Sequence, residues 1–219
     1  MLHIFPNLEL GDNIVLNGLC RVFARREESI KWVARRTYAA DIARMFSDLP
    51  NVEVIDGYDY PEARGIACER AIRLGFFGPE GTNWQAVQWD EEFYRQAGVD
   101  FNERWSACKF PADLLPDTLR PAFNLVHEVP ERGFTVRPDL LPRNPIFITR
   151  APSVWNWVGP ICTAAELHVV DSAILNLAES LYAVGRLRNT RLVFHAYAKK
   201  KIHSFAVPPV LRAPWEIIE

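Results

Sequence analysis

The feature that most constrains this chain is the regular alternation of short apolar runs with stretches of helical periodicity. From the amino terminus, Leu2–Phe5 reads as a strand and residues 12–23 as a helix with Ile14, Val15, Leu19, Val22 and Phe23 on one face. Ile30–Ala34 then reads as a strand, Tyr38–Phe46 as a helix and Val52–Ile55 as a strand. A βαβαβ order implies parallel strands joined by right-handed crossovers. The second half repeats it, with strands at Phe123–Val126, Ile146–Thr149, Leu167–Val170 and Arg191–His195, and helices at Val154–Ala164 and Ser172–Leu187. Between the halves, Pro111, Pro116 and Pro121 interrupt a stretch without periodicity, which reads as a linker. The expected fold is α/β, two small Rossmann-like lobes with parallel sheets. An N-terminal lobe of residues 1–110 and a C-terminal lobe of residues 122–219 are joined by a linker at 111–121. Ligands of such sheets bind beyond the carboxyl ends of the strands, so a cleft between the strand ends of both lobes is expected.

Local signals place the first candidates. Gly11 and Asp12 stand at a loop-to-helix corner, where Asp12 or Asn13 can cap the helix. Gly18, inside the helix, costs about 1 kcal/mol against Ala and implies a close packing partner. Residues 56–83 carry repeated Gly and Pro, with Ala63–Leu74 as a helix candidate. Trp89–Gln96 reads as a helix ended by Gly98, and its acidic start, Asp90, Glu91 and Glu92, reads as a solvated turn that complements the helix dipole.

Composition narrows the function classes. A net charge of -2 gives no basic excess for binding nucleic acid, and the runs Arg25–Arg26, Arg35–Arg36 and Lys199–Lys201 read as solvated surface. Cys20, Cys68, Cys108 and Cys162 lie far apart without a C-x-x-C pair, which argues against zinc and for a reducing compartment. No signal-peptide pattern or run of about 20 apolar residues occurs, so a soluble cytoplasmic protein is expected, with peripheral membrane contact through its Trp residues left open. His127, His168, His195 and His203 are scattered without metal-ligand spacing. No G-x-S-x-G elbow, Walker lysine loop or G-x-G-x-x-G fingerprint appears.

The segment His168–Leu181, HVVDSAILNLAESL, is a strand, turn and helix junction. Ser172 is a natural N-cap, and the free amides of the turn after it suit an anion. In VPERGF, Arg132 beside Gly133 just past a strand end could bind phosphate through paired N–H donors or form a surface ion pair with Glu128 or Glu131.

LELGDNIVLNGLCR (residues 8–21) resembles the GxGD-then-helix start of heptosyltransferase-like, GT-B type glycosyltransferases, and HVVDSAILNLAESL resembles their D-[ST]-G-x-x-H-[LM]-A segment. FYRQAGVDFNERWS and LVHEVPERGF are similar to segments of glycosyltransferase-like proteins from bacterial polysaccharide gene clusters. The likeness runs through most of the chain in order. It implies inverting transfer of a sugar from a nucleotide-diphosphate donor to a saccharide or glycoconjugate acceptor, with no metal and no cofactor. By the same resemblance Asp12 is the general base, Asp171, Ser172 and Ala173 contact the donor diphosphate, and Arg132 neutralises the leaving group. Gly11, Asn13, His127, Glu128 and Asn176 flank these positions and complete the candidate set. The chain departs from the pattern with Glu9 and Leu10 before Gly11, Ala173 in place of glycine and Asn176 in place of histidine. Two alternatives accompany this reading: a non-catalytic GT-B-like protein that assembles with a larger partner, and a nucleotide-sugar epimerase.

Overall fold

A computed structural model describes residues 1–7, 9–58, 68–75, 87–116, 123–199 and 209–219. Two all-parallel sheets organise them. The first, of four strands, has the order β3-β2-β1-β4, with β1 Leu2–Asn7, β2 Ile30–Arg35, β3 Val52–Tyr58 and β4 Ala71–Gly75. The second, of five strands, has the order β6-β5-β7-β8-β9, with β5 Phe123–His127, β6 Pro145–Ile148, β7 Ala164–Val169, β8 Arg191–His195 and β9 Glu216–Ile218. The expected α/β architecture is therefore present. The helix expected at Ala63–Leu74 is corrected where it can be followed: Ala71–Gly75 is β4, paired with β1, while residues 63–67 lie outside the described residues. The short stretch AIRLG, following an alanine-containing segment, satisfies helical spacing as easily as strand alternation. Strand β9 has no counterpart among the expected elements.

The helix read over residues 12–23 is split into α1, Leu10–Val15, and α2, Asn17–Ala24. A side chain causes the break. The Tyr94 hydroxyl donates to Val15 O at 2.9 Å and accepts from Leu19 N at 3.2 Å, standing between two groups that a continuous helix would pair directly. Tyr94 comes from α4, Trp89–Ala97, which ends as expected on Gly98 in the left-handed conformation at φ 66°. Helix α3 is Ala39–Met45 and α5 is the single turn Glu103–Ser106. Gly18 meets the close neighbour its position demands: a Cβ there would lie 1.9 Å from Glu103 O.

In the second half, the helix expected at Val154–Ala164 is a 3-10 turn, Val154–Trp157, running into α6, Val158–Thr163. Helix α7, Ala173–Ala183, follows β7 with Ser172 at its N-cap position. Its residues Ile174 through Leu181 are all buried, as in a helix enclosed on every side. One continuous hydrophobic core joins Ile4, Trp32, Ile42 and Leu74 of the first sheet and its helices to Leu125, Leu167, Leu177 and Phe194 of the second. Each such aliphatic side chain contributes about 1.5–3 kcal/mol. Only residues 111–116 of the expected linker are described; they form a 3-10 turn that inserts Leu114 into this core.

A C-terminal strap ties the halves together before β9. Val210 N donates to Asp90 Oδ2 at 2.9 Å, and its carbonyl accepts from Arg104 at 3.0 Å. Asp90 and Arg104 are themselves ion-paired and buried. The acidic start of α4 is thus corrected in part: Asp90 is wholly enclosed, because its cationic partner arrives from α5. Further along, Arg212 N, Ala213 N and the indoles of Trp105 and Trp215 all donate to the buried carboxylate of Glu179 on α7, at 3.1, 3.0, 3.2 and 2.6 Å. Among the described residues no helix is long and apolar enough to cross a membrane.

Candidate functional site

The first turns of α1 and α7 meet where the carboxyl ends of β1 and β7 converge. Gly11 of α1 packs so closely on α7 that an added Cβ would stand 2.9 Å from Ala173 Cα and 3.2 Å from Asn176 Nδ2. Glycine at position 11 is therefore required by helix-to-helix approach, and the two motif segments of the sequence touch. Asn13 fixes α1 on its sheet: its Nδ2 donates to Glu9 O at 2.9 Å, and its Oδ1 accepts from Trp32 Nε1 at 3.1 Å. Asp12 accepts from Glu9 N at 3.1 Å and so closes the first turn of α1 as one side of a capping box. Its side chain remains partly exposed.

Across the contact, Asp171, Ser172 and Ala173 are partly exposed at the start of α7. Ser172 has extended backbone, with φ -165° and ψ 176°, and its hydroxyl does not cap the helix. Instead Oγ is hydrogen-bonded to His127 Nδ1 at 3.1 Å, a link between the ends of β7 and β5. Burial pushes the His127 imidazole down to about 4, against a weak opposing effect of Glu131, so this histidine is neutral at pH 7. Asn176 is 4% exposed, and its Oδ1 has no hydrogen-bond partner among the described residues.

The loop after β5 carries the remaining candidates. Glu128 Oε1 accepts from Val136 N at 2.6 Å, and Val129 and Phe134 bridge the loop, so Glu128 shapes it rather than facing the cleft as a free carboxylate. Arg132 ends the 3-10 turn Pro130–Arg132 ahead of Gly133, at φ 72°, and is exposed.

Tyr38 belongs to a cluster absent from the sequence reading. Arg35, at the end of β2, is ion-paired with Glu9, and the Tyr38 hydroxyl donates to the other Glu9 oxygen at 2.6 Å. Burial and the Glu9 carboxylate push the phenol up to about 12, while Arg35 and Arg132 act in the opposite direction. Arg35 is thus half-buried and partnered rather than solvated, which corrects the reading of Arg35–Arg36 as plain surface. The apparent scatter of histidines also hides a pair: His168 Nδ1 and His195 Nε2 are 3.1 Å apart on adjacent strands, with His168 Nε2 3.3 Å from Glu166. Sequence signals for either cluster are faint, since partners 26 to 29 positions apart are brought together only by the tertiary fold. Among the described residues no group of three or more His, Cys, Asp or Glu is placed to hold a metal ion.

No protein-family model and no curated protein matches the chain. Among solved structures it is similar to TibC, described as a dodecameric iron-containing heptosyltransferase in complex with ADP-D-beta-D-heptose, with a TM-score of 0.60 at 12% identity. The match covers 99% of this chain and 62% of that one, so the chain spans under two thirds of the TibC length. At that identity the likeness is one of fold: two parallel α/β sheets arranged as in a GT-B type glycosyltransferase.

Proposed function

We propose that the chain is a compact GT-B type glycosyltransferase that moves a sugar from a nucleotide-diphosphate donor to a saccharide acceptor with inversion and without a metal. The observation that carries the reading is the meeting of α1 and α7 at the strand ends of two parallel sheets, in a fold similar to a heptosyltransferase. The donor diphosphate lies at the first turn of α7, where the amides after Ser172 and the helix dipole favour an anion. Asp171, Ser172 and Ala173 form that turn, and exposed Arg132, in the loop after β5, supplies the positive charge. Asp12 takes the proton of the acceptor hydroxyl as its oxygen attacks the anomeric carbon; the bond from that carbon to the diphosphate breaks, and Arg132 and the amides stabilise the departing charge. Neutral His127 orients the Ser172 hydroxyl.

Titration calorimetry with ADP, UDP, GDP and CDP tests the donor side. Binding of at least one, lost in Ser172→Asp through charge repulsion, is the expected result. No binding by any of them, together with a transfer rate indifferent to Ser172→Asp, overturns the reading. The tight seating of Gly11 on Ala173 favours a second possibility, a non-catalytic pair of lobes that assembles with a larger synthase. Asp12→Asn separates the two: it abolishes transfer in the first and leaves a partner complex intact in the second.

A further inference from the structure

The second sheet ends on two bare strands. Among the described residues no strand pairs outside β6 or outside β9, whereas in the first sheet β2, the strand beside β1, is itself covered by β3. Strand β6 holds the corresponding place beside β5, and burial shows the difference. Most of β2 is enclosed, while Ile146 and Phe147 of β6 are 47% and 41% exposed. On the far edge, Ile217 of β9 is 54% exposed. Apart from Met1, these three are the large exposed apolar side chains of the described residues. Unpaired strand N–H and C=O groups beside apolar side chains are a template for another strand, and charge is one of the devices that guard an edge. Here the charges sit at the ends of each strand and leave its middle apolar. Exposed Arg143 and Arg150 bracket β6, with no acid between Asp139 and Glu166. Exposed Glu216 and Glu219 bracket Ile217 and Ile218. Arg191 pairs with Glu216 at 2.8 Å and with Glu166 at 3.0 Å, one cation among three carboxylates, so this edge stays acidic.

Those signs choose the partner. Antiparallel pairing of β6 with β6 of a second copy, Ile146 opposite Phe147, sets Arg143 opposite Arg150. Pairing β9 with β9, Ile217 opposite Ile218, sets Glu216 opposite Glu219, and like charges so placed destabilise. Parallel pairing of β9 with β6 does the reverse. With Ile217 beside Ile146 and Ile218 beside Phe147, Glu216 lies two positions from Arg143 and Glu219 two from Arg150, within reach of long side chains. The pleat agrees: Ile146 is in register with Leu125 and Ile217 with Phe194, both core residues on one face, while Phe147, beside Val126, and Ile218, beside His195, share the other. We infer that β9 of one copy adds to β6 of the next, extending one parallel sheet from chain to chain. The contact is heterologous, each copy offering a different edge, so association continues beyond two copies. Because both strands are short, the interface is weak and forms at high micromolar concentration.

Sedimentation equilibrium of the full chain, from about 1 μM to about 0.5 mM, measures it, and a mass that rises past that of a dimer is expected. Phe147→Lys and Ile217→Lys each disable one edge at an exposed position and should weaken association about 10- to 100-fold. Mixed, the two variants should recover a single contact, a one-to-one dimer, because each keeps the edge that the other lost. Arg150→Glu should weaken association about two- to tenfold, whereas pairing of β6 with β6 would be tightened by it. Thermal melts certify the fold of each variant. A parent that stays monomeric throughout, an Ile217→Lys chain that associates like the parent, a mixture without the dimer, or an Arg150→Glu chain that associates more tightly overturns the inference.

Discussion

Removing the Glu179 carboxylate will detach the C-terminal strap. Glu179 is 1% exposed and accepts four hydrogen bonds: from Arg212 N and Trp105 Nε1 on one oxygen, and from Ala213 N and Trp215 Nε1 on the other. Glu179→Leu puts an apolar side chain of similar bulk in its place and leaves those four donors facing hydrocarbon. At about 1–3 kcal/mol for each buried donor left unmatched, a rigid structure would lose roughly 4–12 kcal/mol. The strap can instead lift and rehydrate its donors, which holds the loss to the lower end of that range. Glu179→Gln retains shape but turns an NH2 group toward one pair of donors, and it should cost about half as much. Urea unfolding gives the global loss, and amide exchange at Arg212 and Ala213 gives the local one. Both amides should exchange far faster in Glu179→Leu, while the core strands β1 and β7 lose protection only in proportion to global stability. A Leu variant with parental stability and protected strap amides would show that the four hydrogen bonds are not what fastens this segment.

Other outcomes follow from close packing and from titration. Gly18→Ala gains about 1 kcal/mol of helix propensity but puts a methyl carbon 1.9 Å from a backbone carbonyl that cannot rotate aside, so net destabilisation of about 1–3 kcal/mol in thermal melts is expected. Gly11→Ala, at 2.9 Å from Ala173 Cα, should cost less, and the reverse order would contradict the packing described. His127 and His195 are held at about 4, below their ordinary 6.5, mainly by burial. The unfolded chain takes up these protons first, so stability is complete above pH 6.5 and falls by roughly 1 kcal/mol per pH unit per histidine down to about 4. Urea midpoints at pH 7, 6 and 5 measure that slope, to which His168, also lowered by burial, adds in the same direction, and His195→Gln should make it shallower.

The elements most legible in the sequence were those whose pattern is local. The alternation that gave β1, β2, β3, β5, β7 and β8 is carried by runs such as Leu2–Phe5 and Leu167–Val170, and the parallel arrangement follows from their order. Gly18 announced a close neighbour because a glycine inside a helix has a cost to repay. What stayed hidden depends on distant partners. Asp90 looks like an ordinary acidic helix start until Arg104 and Val210, 14 and 120 positions away, enclose it. Glu179 sits among apolar residues of α7 as a helix former, and nothing nearby marks it as an acceptor for four donors. The split between α1 and α7 as motif-bearing segments was visible, but their direct contact was not, because it depends on how the two sheets face one another. Ser172 satisfied the rules for a capping residue, yet His127 claimed its hydroxyl from an adjacent strand.

The strap also orders events during synthesis. It lies downstream of every group it satisfies, so α4, α5 and α7 emerge from the ribosome before Val210, Arg212, Ala213 and Trp215 exist to meet them. Until then Asp90 Oδ2 lacks the Val210 amide, and three of the four donors to Glu179 have not been made. Completion is therefore concentrated in the last few residues before β9, and a ribosome stalled upstream of Val210 would release a chain whose two halves share a core but lack the strap across them.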